Sequence, residues 1–252
     1  MSATLALDSR SRRFLGAWAA VLVLGAAAFA LAGTAWEKLP HPRPLEELSY
    51  YPSGRFLRPA SFGHAEAAAD LAWLRAVQYY GEHRTTDNRF ERMDHVFDIL
   101  TSLSPGFVPA YVFGSFALAQ EGGDFDKAEA LMLKGLEANP SSGPLAFQLG
   151  FLYYVRPGGR ELARAAEYFE RAARQADAPP QALRFAAFAR QNSGDLSVAY
   201  LLWESVRASS RNPYLRDIAE KEMSRIRLAL AEGRRDLAVR RLTTPVVVVE
   251  RR

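Results

Sequence analysis

The stretch GPLAFQLGFLYYVRPGGRELARAAEYFERAA, residues 143–173, decides the fold of this chain. Apolar residues recur at three- and four-residue spacings before and after a turn at residues 157–159, and this is the period of an α-helix. Proline next to glycine interrupts a helix, because proline lacks an N–H group and glycine favours turn conformations. The stretch therefore predicts two helices joined by a turn, which is a helix hairpin.

The hairpin recurs along the chain. Intervals of 35, 39 and 34 residues separate four prolines, at Pro105, Pro140, Pro179 and Pro213. Each interval holds an internal turn, at residues 122–124, 157–159 or 193–195. Asp124 and Asp195 stand where their side chains would cap the helix that follows. A hairpin of about 34 residues is the repeating unit of an α-helical solenoid, so the predicted fold class is all-α.

The helical period also appears outside the quoted stretch. It is seen in three apolar groups, Leu71, Leu74 and Val77, then Phe97, Leu100 and Leu103, and finally Leu201, Leu202 and Val206. No window of five or more residues before the last ten alternates in the way of a half-buried strand. Helices are therefore expected from residue 64 onwards.

The second helix of each hairpin carries a small residue, a large one four positions later and a small one after three more. The matching positions are Ala128, Met132, Gly135 and Pro140, then Ala165, Phe169 and Ala172, then Ala199, Trp203 and Val206. In one first helix, Leu149, Gly150 and Tyr153 supply a large, a small and an aromatic residue. This pattern resembles the tetratricopeptide repeat (TPR) family over roughly residues 64–213. A small residue lets paired backbones approach, and a large one fills the groove beside it.

The chain also departs from that family pattern. The segment VRPGGR lengthens one turn by about three residues, and Ala187 stands where glycine is usual in the last full repeat. The first pair of helices keeps the hairpin and its terminal proline, Pro105, but lacks the small residues: Met93 and Phe97 stand at the positions where alanine and an aromatic residue are usual. We interpret this first pair as a divergent repeat.

The resemblance implies a binding surface. In the TPR arrangement the first helices of successive pairs line a concave face, and four positions of each repeat point into it. The implied partner-binding residues are Trp73, Tyr80, Phe147, Phe151, Tyr154, Arg184, Phe188 and Gln191. Aromatic side chains beside an arginine are the residue types of a peptide-binding hot spot. The alternative is that these rings pack against a neighbouring helix or against the chain's own Pro-rich segment.

Near its start the chain has 23 residues without a charge, FLGAWAAVLVLGAAAFALAGTAW at positions 14–36. As a helix this segment is roughly 34 Å long, which is enough to cross a hydrocarbon core of about 30 Å. Arg10, Arg12 and Arg13 precede it, and an excess of arginine marks the cytoplasmic side. We therefore expect a single-pass protein of the cytoplasmic (inner) membrane with its N-terminus inside and the repeat domain extracytoplasmic or periplasmic.

A cleaved signal peptide is the alternative to a retained anchor, because Ala30-Leu31-Ala32 fits the small-x-small pattern that precedes a cleavage site. The apolar run is longer than the usual core of a signal peptide, and this favours the anchor.

The chain divides into six predicted segments. They are a basic cytoplasmic N-terminus (1–13), a transmembrane anchor (14–36), a Pro-rich linker (37–63), TPR-like repeats (64–213), a capping helix (214–242) and a tail (243–252). The five prolines of the linker disfavour a helix and predict an extended, semi-rigid strut, whose apolar second half is expected to lie against the repeats. The capping helix would cover the apolar flank of the last repeat.

Motifs of enzyme chemistry are missing from the sequence. The chain has no cysteine, which excludes disulfides, thiolate metal sites and cysteine nucleophiles. It has no phosphate-binding loop, no G-x-S-x-G elbow and no H-E-x-x-H motif. Its four histidines are scattered, at His41, His64, His83 and His95. We therefore expect no catalytic residue, no cofactor, no metal and no small-molecule substrate.

These observations favour a non-enzymatic, membrane-anchored scaffold for protein–protein interaction, or an assembly subunit of a cell-envelope complex, with a protein partner in or at the membrane. The net charge of +4 is concentrated after residue 210, so a nucleic-acid partner is not predicted. One alternative is a periplasmic assembly factor or chaperone for exported proteins such as apocytochromes. A hydrolase with its site outside the repeats is less favoured.

Overall fold

The computed structural model describes residues 9–38 and 52–234, and within these ranges the chain forms eleven α-helices and no strand. The predicted all-α fold class is therefore confirmed. The chain divides into two compact units, residues 1–50 and 51–252.

The first unit contains one long helix, α1 (Ser9–Lys38), of 30 residues. Its segment Trp18–Ala35 is exposed along its whole length and is long and apolar enough to cross a membrane. The predicted apolar segment 14–36 lies inside this helix, so its helical character is confirmed. Length and composition of this kind also occur in signal sequences.

The second unit is a series of ten helices. They are α2 (Gly54–Ala60), α3 (Ala65–Thr85), α4 (Met93–Leu103), α5 (Val108–Phe116), α6 (Phe125–Ala138), α7 (Gly143–Val155), α8 (Leu162–Ala173), α9 (Ala182–Ser193), α10 (Leu196–Ser209) and α11 (Pro213–Ala231). A single π-helical turn, Ala117–Glu121, follows α5. From α3 onwards each helix packs against the next one along the chain, while α2 packs against α4. The result is four hairpins, α3/α4, α5/α6, α7/α8 and α9/α10, followed by α11.

Side-chain caps begin several of these helices. Asp124 accepts a hydrogen bond from the backbone N–H of Lys127 at 3.0 Å, and Asp195 accepts one from Val198 at 3.4 Å, so both predicted caps are confirmed. Such a cap satisfies one of the backbone donors that the first turn of a helix leaves unpaired. At the other end of α9, Gly194 stops the helix with a φ of 90°, a conformation that glycine adopts without steric cost.

The small and large positions of the sequence pattern lie in the core. Those of the second helices are buried, namely Ala128, Met132, Gly135, Ala165, Phe169, Ala172, Ala199, Trp203 and Val206. The closest approaches are made at glycine: a Cβ atom on Gly150 would lie 2.9 Å from the ring of Phe169, and one on Gly135 would lie 2.8 Å from the ring of Tyr111. The predicted packing of small residue against large ring within a hairpin is therefore confirmed at these positions.

The linker differs from its prediction. Its second half is not an extended strut, because Gly54–Ala60 forms α2 with Pro59 in its last turn. The reason is packing: Gly54 is buried against α4, and a Cβ atom there would lie 2.5 Å from the Cβ of Ser102. Tertiary contact of this kind overrides a low helix propensity. This half does pack against α4 through Gly54, but its apolar Phe56 is 69% exposed, and residues 39–51 lie outside the described ranges.

The outer side of α3 is apolar. Leu71 and Leu74 are 61% and 57% exposed, and Val77 is exposed as well. The core side of the same helix consists of Ala69, Ala72, Ala76, Tyr79 and His83. The periodic leucines therefore mark a helix correctly but do not mark its buried face.

The last described helix, α11, packs against α10. Its buried residues are Ala219, Glu222, Met223, Ile226 and Ala229, and it ends at Ala231. The end of the predicted capping segment, residues 235–242, and the tail, residues 243–252, lie outside the described ranges.

Two glycine variants test the importance of close helix contact. Gly150→Ala is expected to destabilise the protein by about 1–3 kcal/mol, because the added methyl group would overlap the buried Phe169 ring. Gly81→Ala is the matched control on the exposed side of α3, where a Cβ atom meets nothing within 4 Å. It is expected to stabilise the protein by about 0.5–1 kcal/mol through helix propensity. Urea unfolding of the detergent-solubilised chain, followed by circular dichroism, measures the free energy of unfolding of both variants. If Gly150→Ala, like Gly81→Ala, does not destabilise the protein, the close packing of Gly150 against Phe169 is contradicted.

Candidate functional site

A group of aromatic rings lies at the surface of α7 and α9. Phe147, Phe151 and Tyr154 of α7 each contact Phe185 of α9, with ring centroids 5.4, 6.3 and 6.0 Å apart. All four rings are half-buried, and we call them the aromatic patch. Their edge-to-face contacts fix the rings against one another while the remaining ring surfaces stay open.

The positions of these rings follow from local structure. Phe147, Phe151 and Tyr154 are spaced by four and three residues, so they lie along one face of α7. Phe169 of α8 is buried beneath them, 5.2 Å from Phe147 between ring centroids. Three of the residues predicted from the sequence are thus brought together, and their orientation depends on the α7/α8 hairpin.

Phe185 is the member of the patch that the sequence frame missed. The prediction took only the positions of each repeat that point into the concave face. On α9 these include Arg184 and Phe188, and Phe185 lies beside Arg184. Its contacts come from the preceding hairpin, so the spacing within its own hairpin gives no signal of them. A bulky aromatic residue beside the predicted Arg184 is the only indication in the sequence.

Arg184 connects the patch to a cleft. Its guanidinium carbon lies 5.8 Å from the centroid of the Phe185 ring. The same residue lines a cleft of about 480 Å³, together with Pro180, Gln181, Leu183, Val206, Ser209, Ser210, Arg211, Asn212 and Leu215. No acidic side chain lines this cleft, and neither Arg184 nor Arg211 makes an ion pair within the described residues. Two arginines that line a cleft without an acidic residue can hold a carboxylate or another anion.

Trp73 and Tyr80 belong to a separate aromatic group on α3 and α5. The Trp73 ring lies 5.3 Å from Phe107 and 5.6 Å from Phe113, and Tyr80 lies 5.1 Å from Phe113. The Tyr80 hydroxyl donates a hydrogen bond to Glu121 at 3.2 Å. Both predicted residues are half-buried, and the structure brings them together with each other but not with the aromatic patch. The sequence prediction missed Phe107 and Phe113, which belong to the hairpin that follows α3/α4.

Gln191 does not lie on an open binding surface, contrary to the prediction from the sequence. It is only 5% exposed, and its amide oxygen accepts a hydrogen bond from the indole N–H of Trp203 at 2.7 Å. Its amide nitrogen donates to Glu222 of α11 at 2.8 Å. A buried indole N–H needs an acceptor, and Gln191 supplies it, so this residue is structural. Phe188, its neighbour in the prediction, is half-buried with its ring 5.0 Å from Trp203.

A polar network joins α6, α7 and α8 around the lengthened turn. The Tyr153 hydroxyl donates to Glu129 at 2.6 Å and accepts from Arg164 at 2.6 Å. Glu161 pairs with Arg164 and with Arg156, each at 2.8 Å. Burial and the hydrogen bond to Glu129 raise the pKa of Tyr153 well above its usual range. The network ties three helices together, and no pattern in the sequence predicted it.

Several acidic side chains and one histidine have structural partners. Asp94 pairs with Lys127 at 3.0 Å, and Asp98 pairs with Lys134 at 2.7 Å. His83 is buried and bonded to Asp87 at 2.5 Å, while His41 lies outside the described ranges. Within the described residues, no three histidine or acidic side chains are grouped in a way that could hold a metal ion.

No protein-family model matches the chain, and no curated protein matches it.

The raised pKa of Tyr153 predicts how the stability of the protein changes at alkaline pH. Because the folded state holds this phenol protonated, the free energy of unfolding should be independent of its ionisation below about pH 10 and should fall as the pH rises above that value. Tyr153→Phe is expected to make the fall shallower, whereas Tyr214→Phe, at an exposed site, should leave it unchanged. Unfolding measured between about pH 8 and pH 11 tests this. Equal slopes for the wild type and both variants would contradict it.

Proposed function

We propose that this chain is a non-enzymatic, membrane-anchored TPR protein that binds a segment of a partner protein and serves as a scaffold or assembly subunit of a cell-envelope complex. The observation that carries the proposal is the aromatic patch beside Arg184, where four half-open rings and an unpaired cation share one surface. Residues of these types are enriched in hot spots of protein interfaces.

The family assignment is supported by the way the hairpins pack. Successive helices contact each other in chain order, and small residues sit against large rings at the spacings quoted above. The helices α7 and α9 are the first helices of their hairpins, and these are the ones that line the concave face in a TPR array. The aromatic patch and Arg184 lie on these two helices.

The shape and charge of the surface favour a particular ligand. Apolar side chains of a partner segment would contact the open faces of Phe151 and Tyr154. An acidic side chain or a terminal carboxylate would then reach Arg184 and Arg211 in the adjoining cleft, which has no acidic residue of its own. An extended peptide that carries apolar residues followed by a carboxylate satisfies both parts of the surface.

The same surface would serve an assembly factor or chaperone for exported proteins such as apocytochromes. The two roles differ in the lifetime of the complex, because a scaffold remains bound to its partner in stoichiometric amount whereas a chaperone releases it. Stoichiometry after purification from native membranes therefore distinguishes them.

The binding surface is tested by Phe151→Ser combined with Tyr154→Ser. This double variant is expected to weaken partner binding by about 2 kcal/mol or more, roughly thirtyfold, because two hot-spot rings are lost. Helical content and melting temperature should stay close to those of the wild type, since both rings are half-exposed. Co-purification of the partner from native membranes is the measurement.

The control for this variant is Leu201→Ser combined with Leu228→Ser, two exposed leucines outside the patch, which should leave binding unchanged. A photo-crosslinking residue at position 151 should label the same partner, and one at position 201 should not. Unfolding of the double variant would mean that the rings belong to the core, and the surface would then lose its role.

Membrane topology is a second part of the proposal. The arginines before the apolar run favour a cytoplasmic N-terminus and an exported repeat domain in the inner membrane. A reporter that requires the periplasm should therefore be active when fused after residue 252 and inactive when fused at residue 8. The opposite result would reverse the orientation. A mature soluble chain that begins at Gly33 would mean that the segment is a cleaved signal peptide.

A further inference from the structure

A second arginine borders the aromatic patch. The guanidinium carbon of Arg160 lies 5.5 Å from the centroid of the Tyr154 ring, much as that of Arg184 lies 5.8 Å from the centroid of Phe185. An arginine at such a distance is attracted to the electron-rich face of the ring. Two of the four rings of the patch therefore carry a cation beside them.

The turn between α7 and α8 supplies Arg160. Six residues, 156–161, separate these two helices, whereas only two residues separate α9 from α10. Within the turn Gly158 has a φ of 84°, a conformation that glycine adopts without steric cost. The additional residues give the chain the length to place an exposed arginine over a ring of α7.

The neighbouring arginines are paired with acids, and Arg160 is not. Arg156 contacts Asp126 and Glu161, each at 2.8 Å, and Arg164 contacts Glu161 at 2.8 Å. Glu161 follows Arg160 in the chain, but both of its carboxylate oxygens accept hydrogen bonds from the other two arginines. Within the described residues Arg160 makes no ion pair.

The two helices that carry the patch contain no acid to balance these cations. Neither α7 nor α9 has an aspartate or a glutamate. On the adjoining α8, Glu170 pairs with Arg190 at 2.6 Å, and the charge of Glu167 raises the pKa of the same arginine. Among the described side chains, the nearby acids thus pair with other arginines, and the positive charge at Arg160 and Arg184 is available to a ligand.

The distance between the two cations limits the length of a ligand that meets both. The Tyr154 and Phe185 rings are 6.0 Å apart, so the guanidinium carbons of Arg160 and Arg184 lie at most about 17 Å from each other. An extended segment rises about 3.3 Å per residue, so about five residues cover this distance.

We propose that Arg160 is a specificity-determining residue of the aromatic patch, and that the segment bound there has two acidic side chains with apolar residues between them. One carboxylate pairs with Arg184 and the other with Arg160, at most about five residues away, while the apolar side chains cover the open ring surfaces. A guanidinium beside a ring keeps the N–H donors at its edge, so it can pair with a carboxylate without leaving the ring. This inference rests on the proposed function and narrows its ligand from one carboxylate to two.

A random library of nine-residue peptides displayed on phage tests the pattern, with the detergent-solubilised full chain as the target. We expect the enriched peptides to have two acids flanking apolar residues. Selection against Arg160→Glu should replace one of these acids by lysine or arginine at the same spacing, because the reversed charge attracts the opposite sign. Lys221→Glu, the matched change of charge at an exposed site on α11, should select the original pattern.

One enriched peptide then tests the ion pair directly. The acid that Arg160→Glu reverses is changed to its amide, and fluorescence anisotropy of the labelled peptide measures the affinity. Loss of this acid should weaken binding to the wild type roughly fivefold and binding to Arg160→Ser less than twofold, because the partner of the acid is already missing there. Circular dichroism checks that both variants keep the helical content of the wild type.

Two results would overturn the inference and leave the proposed function in place. They are enriched peptides with a single acid, and enriched peptides whose two acids are unchanged in the selection against Arg160→Glu. In both cases Phe151→Ser combined with Tyr154→Ser should still abolish binding of the peptides. If no peptide is enriched, or if the enriched peptides bind this double variant as tightly as the wild type, the proposed function is overturned as well.

Discussion

Close contact between a glycine and an aromatic ring sets the distance between neighbouring helices in the middle of the array. Gly114 faces the ring of Phe97, and Gly150 faces the ring of Phe169, with no space for a Cβ atom at either position. Because an α-helix without a side chain at the contact can approach its partner closely, the ring enters the groove between backbones and fixes the two helices in one arrangement.

The proposed binding surface depends on the same contact. Phe169 occupies the interior position beneath Gly150, so the neighbouring rings of α7 cannot enter the core and remain at its edge. There they touch Phe185 of the next hairpin and keep part of their area open. Rings that are fixed but incompletely covered lose little conformational entropy when a partner covers them.

Local signals predicted the helices and their packing positions well. Asp124 and Asp195 cap helices as their positions in the sequence indicated, and Ala165 and Phe169 are buried at the expected spacing. Such features depend on residues a few positions apart, so one repeat of the sequence contains the information.

Features that depend on two hairpins were not predictable in this way. Phe185 joins the aromatic patch through rings of the preceding hairpin, and Gln191 is drawn inward by Trp203 and by Glu222 of α11. Leu74 illustrates a different limit of prediction from the sequence. The helix α3 has apolar residues on two sides with the same spacing, so the spacing does not show which side is buried.

The hydrogen bond from Gln191 to Glu222 also affects how such an array can be lengthened. If a second copy of α9/α10 were inserted before α11, the earlier Gln191 would face a copy of α9, which has no carboxylate to accept its hydrogen bond. Lengthening the array at this end would therefore leave one buried amide without its carboxylate partner.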